Sequence, residues 1–169
     1  AKGVQRKLGY DALNRLVTTI DDYNGSNAAT ANTQTASTYD ASDNLEAVSD
    51  PSSLNTVYDH NGLGDLTGIH SPDTGTTTFT VDAAGNRLTQ ADARGVVTTY
   101  TYDALNRPLS ASYSDATLNV AYHYDEANAV TGCAASSPVG RLTRIVENAV
   151  TTTYCYDPRG NVLQKKQLQ

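Results

Sequence analysis

Along this chain polar and apolar positions alternate with a period of two, in the same phase, again and again. Thr98, Tyr100 and Tyr102 fall on one side of such a stretch, and Val97, Thr99 and Thr101 on the other. Thr77, Phe79 and Val81 repeat the pattern, as do Val120, Tyr122 and Tyr124, and Thr152, Tyr154 and Tyr156. Alternation of β-branched and aromatic residues predicts half-buried strands, and no sustained 3.6-residue period competes with it. Each stretch runs into an Asp and then a turn: Ala104-Leu105-Asn106-Arg107, Ala83-Ala84-Gly85-Asn86-Arg87 or Pro158-Arg159-Gly160-Asn161. An Asp side chain accepts bonds from backbone amides two residues on, Pro158 presets φ, and Gly85, Asn106 and Gly160 tolerate φ > 0 near the end of the turn. A second strand follows, anchored by Leu16, Leu45, Leu66, Leu88, Leu109 and Leu142. The predicted unit is therefore strand, Asp-led turn, strand.

The unit recurs. Tyr-Asp appears as Tyr10-Asp11, Tyr39-Asp40, Tyr58-Asp59, Tyr102-Asp103, Tyr124-Asp125 and Tyr156-Asp157, with Val81-Asp82 as a substituted copy. The intervals are 29, 19, 23, 21, 22 and 32 residues, so the two long ones read as a unit of about 21 carrying an inserted loop. Seven units occupy essentially residues 1–169, which predicts a single repeat array. Unit three, Tyr58-Asp59-His60-Asn61-Gly62-Leu63-Gly64-Asp65-Leu66, is expected to have a wider loop eased by Gly62 and Gly64. About 21 residues is too short for a propeller blade. The fold class expected is all-β: about seven antiparallel hairpins side by side in a curved or spiralling sheet with one Tyr and Leu face.

The unit Tyr-x-Tyr-Asp-x-x-Gly-Asn-Arg-Leu-Thr, as carried by Tyr100 to Arg107, Val81 to Thr89 and Tyr154 to Leu163, resembles the YD repeat of RHS proteins. The resemblance extends from about residue 8 to 163. It implies a segment of a hollow shell of the kind found in bacterial RHS polymorphic toxins, toxin-complex B and C components and teneurins. In the bacterial members the shell encloses a C-terminal toxin, so the implied role is a non-catalytic wall segment of a larger secreted or surface-displayed bacterial protein. The implied partners are neighbouring repeats and the enclosed toxin domain. No counterpart of the family's self-cleaving core-terminating segment is found. Asp157-Pro158-Arg159-Gly160-Asn161 fits an ordinary turn, being followed by Val162 and the Lys165-Lys166 tail.

Composition sharpens this picture. Fourteen Leu, thirteen Val, three Ile and one Phe are few for a compact globule, while 23 Thr and 11 Tyr suit a pleated surface. A net charge of −6 argues against nucleic acid and anionic membranes as partners. No apolar run is long enough to span a bilayer and no signal peptide is read, so export would be directed from outside this chain. Repeated aspartates at one turn position are explained by turn geometry, and no catalytic residue is assigned. No cofactor or metal is expected: His60, His70 and His123 lie in different units, and Asp21-Asp22-Tyr23-Asn24-Gly25 lacks the alternating acidic ligands of a calcium loop. Cys133 and Cys155 are read as two small, partly buried thiols, with a bridge between them, which would need adjacent strands and an oxidising compartment, left open as the alternative. The alternative function is a carbohydrate- or cell-surface-binding module that uses exposed Tyr and loops. The outer strands should permit weak self-association, blunted by Lys2, Arg6, Lys7, Lys165 and Lys166. Truncating Tyr102 to Ala is expected to cost about 3 kcal/mol or more if its ring is buried between units.

Overall fold

The computed structural model describes residues 3–27 and 29–169; Lys2 lies outside them. The chain forms two compact units, one through Phe79 and one from Thr80. All-β architecture is observed in both. The first contains β1 (Lys7–Tyr10), β2 (Leu16–Asp21), β3 (Thr33–Tyr39), β4 (Leu45–Ser49), β5 (Asn55–His60) and β6 (Leu66–Ser71), and most of β7 (Gly75–Val81). The second continues with β8 (Arg87–Ala91), β9 (Val97–Tyr102), β10 (Pro108–Ser112), β11 (Val120–Tyr124), β12 (Leu142–Glu147), β13 (Val150–Tyr156) and β14 (Val162–Leu168). Within each unit every strand pairs antiparallel with the next in the chain, as an array of hairpins must. The helical content described is a 3-10 turn at Ala116–Leu118 and α1 (Asn128–Thr131).

Burial is thin, as the scarcity of aliphatics predicts. Phe79, Ala111, Cys133 and Cys155 are the buried apolar residues, with Thr98, Thr143, Thr152 and Thr153 beside them. Phe79, Thr98 and Thr152 come from the predicted Tyr-side positions, whereas Thr153 and Cys155 are buried on the opposite side of β13. A bulge beside each turn sets the pairing there. Leu16, Leu45, Leu66 and Leu142 stand directly across from Tyr10, Tyr39, His60 and Tyr124. Pro108 takes that place opposite Tyr102, so Leu109 stands one residue further on.

The register between successive hairpins is the same everywhere it is described. Taking the residue that faces the Tyr position across each hairpin as the start of the second strand, two residues further on pairs with three residues before the next Tyr position. The pairs are Thr18↔Ala36, Ala47↔Val57, Gly68↔Thr78, Thr89↔Thr99, Ser110↔Ala121 and Arg144↔Thr153. Six joints with one register mean that the unit specifies how it meets its neighbour, and not only how it turns.

Candidate functional site: the turn and the joint

One turn is built eight times among the described residues. In the copy led by Asp103, its amide donates to the Arg107 carbonyl at 3.0 Å, and the Asn106 amide donates back to the Asp103 carbonyl at 3.0 Å. Asp103 Oδ1 accepts from the amides of Leu105 and Arg107, and Oδ2 from Arg107 Nε at 2.7 Å. The third residue after the leader is left-handed: Asn106 here (φ 59°), Gly85 after Asp82 (φ 81°) and Gly160 after Asp157 (φ 94°). Only residues that tolerate positive φ fit there, which is why Asn and Gly supply that position in these copies. Asp11 and Asp40 lead equivalent turns. So do Asp50 and Asp92, at the opposite ends of the hairpins, where no Tyr precedes them. The signal for these two was present as Asp followed three residues on by Ser53 and by Gly95.

Unit three departs from the wider loop expected of it. Asn61, not Asp59, leads an ordinary five-residue turn: its Oδ1 accepts from the amides of Leu63 and Asp65, and its Nδ2 donates to Asp65 Oδ2 at 2.9 Å. Gly64 takes the left-handed position and Gly62 sits within the turn, while His60 occupies the Tyr position. From Asp40 to Asn61, to Asp82, to Asp103, the spacing is then 21 residues each time. Asp59 lies on β5, where its Oδ2 meets His70 Nε2 at 2.6 Å; Tyr58 pairs with Ile69 across the hairpin. Asp59 faces Gly68, and a Cβ on Gly68 would stand 2.6 Å from Asp59 Oδ2, so the glycine makes room for that carboxylate.

Unit six keeps the turn but opens it. The Asp125 amide donates to the Arg141 carbonyl, sixteen residues on rather than four, and the Gly140 amide donates to Asp125 Oδ1. The inserted residues fold against β13: Ser136 Oγ accepts from the Tyr156 amide, and the Ser137 amide donates to the Tyr156 carbonyl. Glu126 holds Arg144 through two oxygens, and the fully buried Thr143 lies beneath, its hydroxyl 3.1 Å from Glu126 Oε2. Cys133 and Cys155 are disulfide-bonded, with Cα atoms 5.8 Å apart. This corrects the expectation of two thiols. The bridge does not join adjacent strands: Cys133 comes from the insertion, just past α1, and reaches back onto β13.

The Arg four residues past the leader also links units. Arg15 stacks over the Tyr39 ring at 4.8 Å and donates to the Asp40 carbonyl and Asp43 Oδ1. Arg107 stacks over Tyr124 at 4.3 Å and donates to Asp125 Oδ2. Arg141, at the equivalent place after the insertion, lies over Tyr156 at 5.6 Å and donates to the Asp157 carbonyl. Where Asn replaces Arg, Asn86 bridges from Asp82 to Asn106. The Tyr hydroxyls complete the joint: Tyr39, Tyr102 and Tyr156 donate to the carbonyls of Leu16, Arg87 and Leu142 on the hairpin before. Val81 holds the Tyr position of unit four without a hydroxyl. The joint was not read from the sequence, although Arg15 and Arg107 stand at one distance from their turn Asp.

The electrostatics follow from these bonds. Side-chain bonds from Asn44, Asn86 and Asn161 hold Asp40, Asp82 and Asp157 below the usual carboxylate range. The backbone amides of Arg15 and Arg107 are the chief cause for Asp11 and Asp103, and the Arg107 guanidinium for Asp125. Carboxylates depressed in the folded state stabilise it above their unfolded pKa, and that contribution is lost as pH falls through the folded values. The urea midpoint should therefore be level from about pH 7 to 5.5 and fall steeply below about pH 4. A midpoint unchanged down to about pH 2.5 would contradict a structural role for these groups. Among the described residues no group of three or more His, Cys, Asp or Glu could hold a metal ion, and no helix is long and apolar enough to cross a membrane.

Carboxylates consumed in backbone turns, and rings and guanidinium groups consumed in joints, define a structural repeat scaffold. The RHS Repeat family model matches residues 39–78 and 81–118. These two segments carry RHS repeats. No curated protein matches it. Solved structures with the same fold include TcdB2-TccC3, at a TM-score of 0.66 and 18% identity over 95% of this chain and 9% of that one. TcdB2-TccC3-Cdc42 matches with a TM-score of 0.66 and 19% identity over 95% and 8%. A Tc holotoxin pore of Photorhabdus luminescens carrying a TccC3 mutation matches with 0.63 and 20% over 94% and 8%. The chain spans less than a tenth of the length of each.

Proposed function

We infer that this chain is a wall segment of an RHS-type shell that encloses a C-terminal toxin within a larger secreted or surface-displayed bacterial protein, continuous with neighbouring repeats and without catalysis of its own. The observation that carries the reading is the constant register of its hairpin joints, which extends a sheet by identical steps as a wall requires. Similarity in fold to TcdB2-TccC3 over 95% of the chain supports it. The Cys133–Cys155 bridge supports export, because such bonds persist in oxidising compartments.

The test is made on the full-length parent protein. Limited proteolysis should leave its C-terminal domain intact while the wall is closed and degrade it once acid has opened the turns. A C-terminal domain cut at the same rate in both states would sink the shell reading.

A further inference from the structure

Unit three frees a carboxylate from turn duty. Asp11, Asp40, Asp82, Asp103, Asp125 and Asp157 accept backbone amides in their turns, whereas Asp59 does not, because Asn61 leads in its place. Asp59 stands on β5 across from Gly68. With no side chain on Gly68, the carboxylate leans over the gap to His70 on β6, Oδ2 to Nε2 at 2.6 Å. The other ring nitrogen, Nδ1, lies 3.1 Å from Thr76 Oγ1 on β7. His70 and Thr76 are direct partners across the strand pair, so their side chains share a face.

A carboxylate only accepts, so it fixes the ring proton on Nε2 and leaves the Nδ1 lone pair to accept the Thr76 hydroxyl. Carboxylate, imidazole and hydroxyl in that order, each within hydrogen-bond reach of the next, form the arrangement in which imidazole serves as general base to a nucleophilic oxygen. The group is open to solvent: the side chains of Asp59 and His70 are 53% and 45% exposed, and Thr76 is exposed. The same row continues past His70 to Val57 on β5 and Ala47 on β4, a short apolar strip beside the imidazole.

We propose that Thr76 takes an acyl group from an activated ester or thioester of a short aliphatic acid, with His70 as general base and Asp59 positioning the ring. The Thr76 oxygen bonds to the carbonyl carbon as its proton passes to His70 Nδ1. The bond to the phenolate or thiolate then breaks, and the leaving group takes that proton. Val57 and Ala47 offer the acyl chain its apolar contact. A threonine alkoxide leaves far less readily than a phenolate or thiolate, so the ester accumulates once per chain rather than turning over. The result is a covalent modification site on one face of the sheet, and it does not depend on the wall reading.

Incubation with p-nitrophenyl acetate should place an acetyl ester on Thr76, located by peptide mapping and removed by hydroxylamine, which leaves amides on lysines intact. Thr76→Val keeps the branched Cβ that suits a strand and should lose that ester. His70→Ala should slow its formation about a hundredfold, the scale of general-base catalysis, and free imidazole should restore much of the rate by filling the vacated space. Asp59→Asn should slow it about tenfold by releasing the ring to its other tautomer. Because Asp59 acts through His70, Asp59→Asn should slow nothing further when added to His70→Ala. Acetylation confined to lysines, a Thr76 ester formed as fast in His70→Ala, or a His70→Ala protein that imidazole fails to restore would each overturn the proposal. None of these results bears on the protease-protection experiment with the parent protein.

Discussion

Replacing Cys133 and Cys155 together by Ala should lower stability by about 3 kcal/mol, the scale expected for a bridge that closes a loop of this length. The effect should be felt first in the insertion. Glu126, Ser136 and Ser137 each hold β12 or β13 by hydrogen bonds, but only the bridge restrains the inserted segment in the unfolded chain. Urea midpoints with and without a phosphine reductant should differ accordingly, and hydrogen exchange should show the Tyr156 amide losing protection before those of β9 and β10. Identical midpoints in oxidised and reduced protein would show that the insertion is held by its polar contacts alone.

Tyr102→Ala is the second large effect, about 2–3 kcal/mol. The ring is half-buried rather than enclosed, which trims the cost of a full core truncation, and the hydroxyl's bond to the Arg87 carbonyl adds to what is lost. Tyr102→Phe should recover most of the difference and leave a deficit of about 1 kcal/mol, since it removes only the hydroxyl's bond to the preceding hairpin. Asp103→Asn should be milder than Asp103→Ala, because Asn61 already performs the same two amide contacts in unit three. Urea unfolding followed by circular dichroism checks all four. A harmless Tyr102→Ala would mean that backbone pairing alone carries the joint.

Much of this fold is written in local chemistry. Period-two alternation identifies the strands, and an Asp with Gly or Asn three residues later identifies the turn, because both depend only on the stereochemistry of a few consecutive residues. Unit three shows where such reading slips. Tyr58-Asp59 matches the dipeptide, and moving the motif two residues to His60-Asn61 leaves every side chain on the same face, so alternation cannot distinguish the two. The left-handed Gly64 and the restored spacing of 21 residues do.

The sequence by itself determined the repeat, the strand-turn-strand unit and the turn role of most of its aspartates, since each rests on residues fewer than about five apart or on their recurrence. Tertiary structure decided the rest. Arg15 reaches Tyr39, and Arg107 reaches Tyr124, across joints whose members lie 24 and 17 residues away. Cys133 finds Cys155 only because an insertion folds back over β13. Leu16 stands directly across from Tyr10, whereas Pro108, and not Leu109, takes that place opposite Tyr102. These are matters of which strand edges meet and in what alignment, and that is settled by hydrogen bonding between hairpins rather than within one.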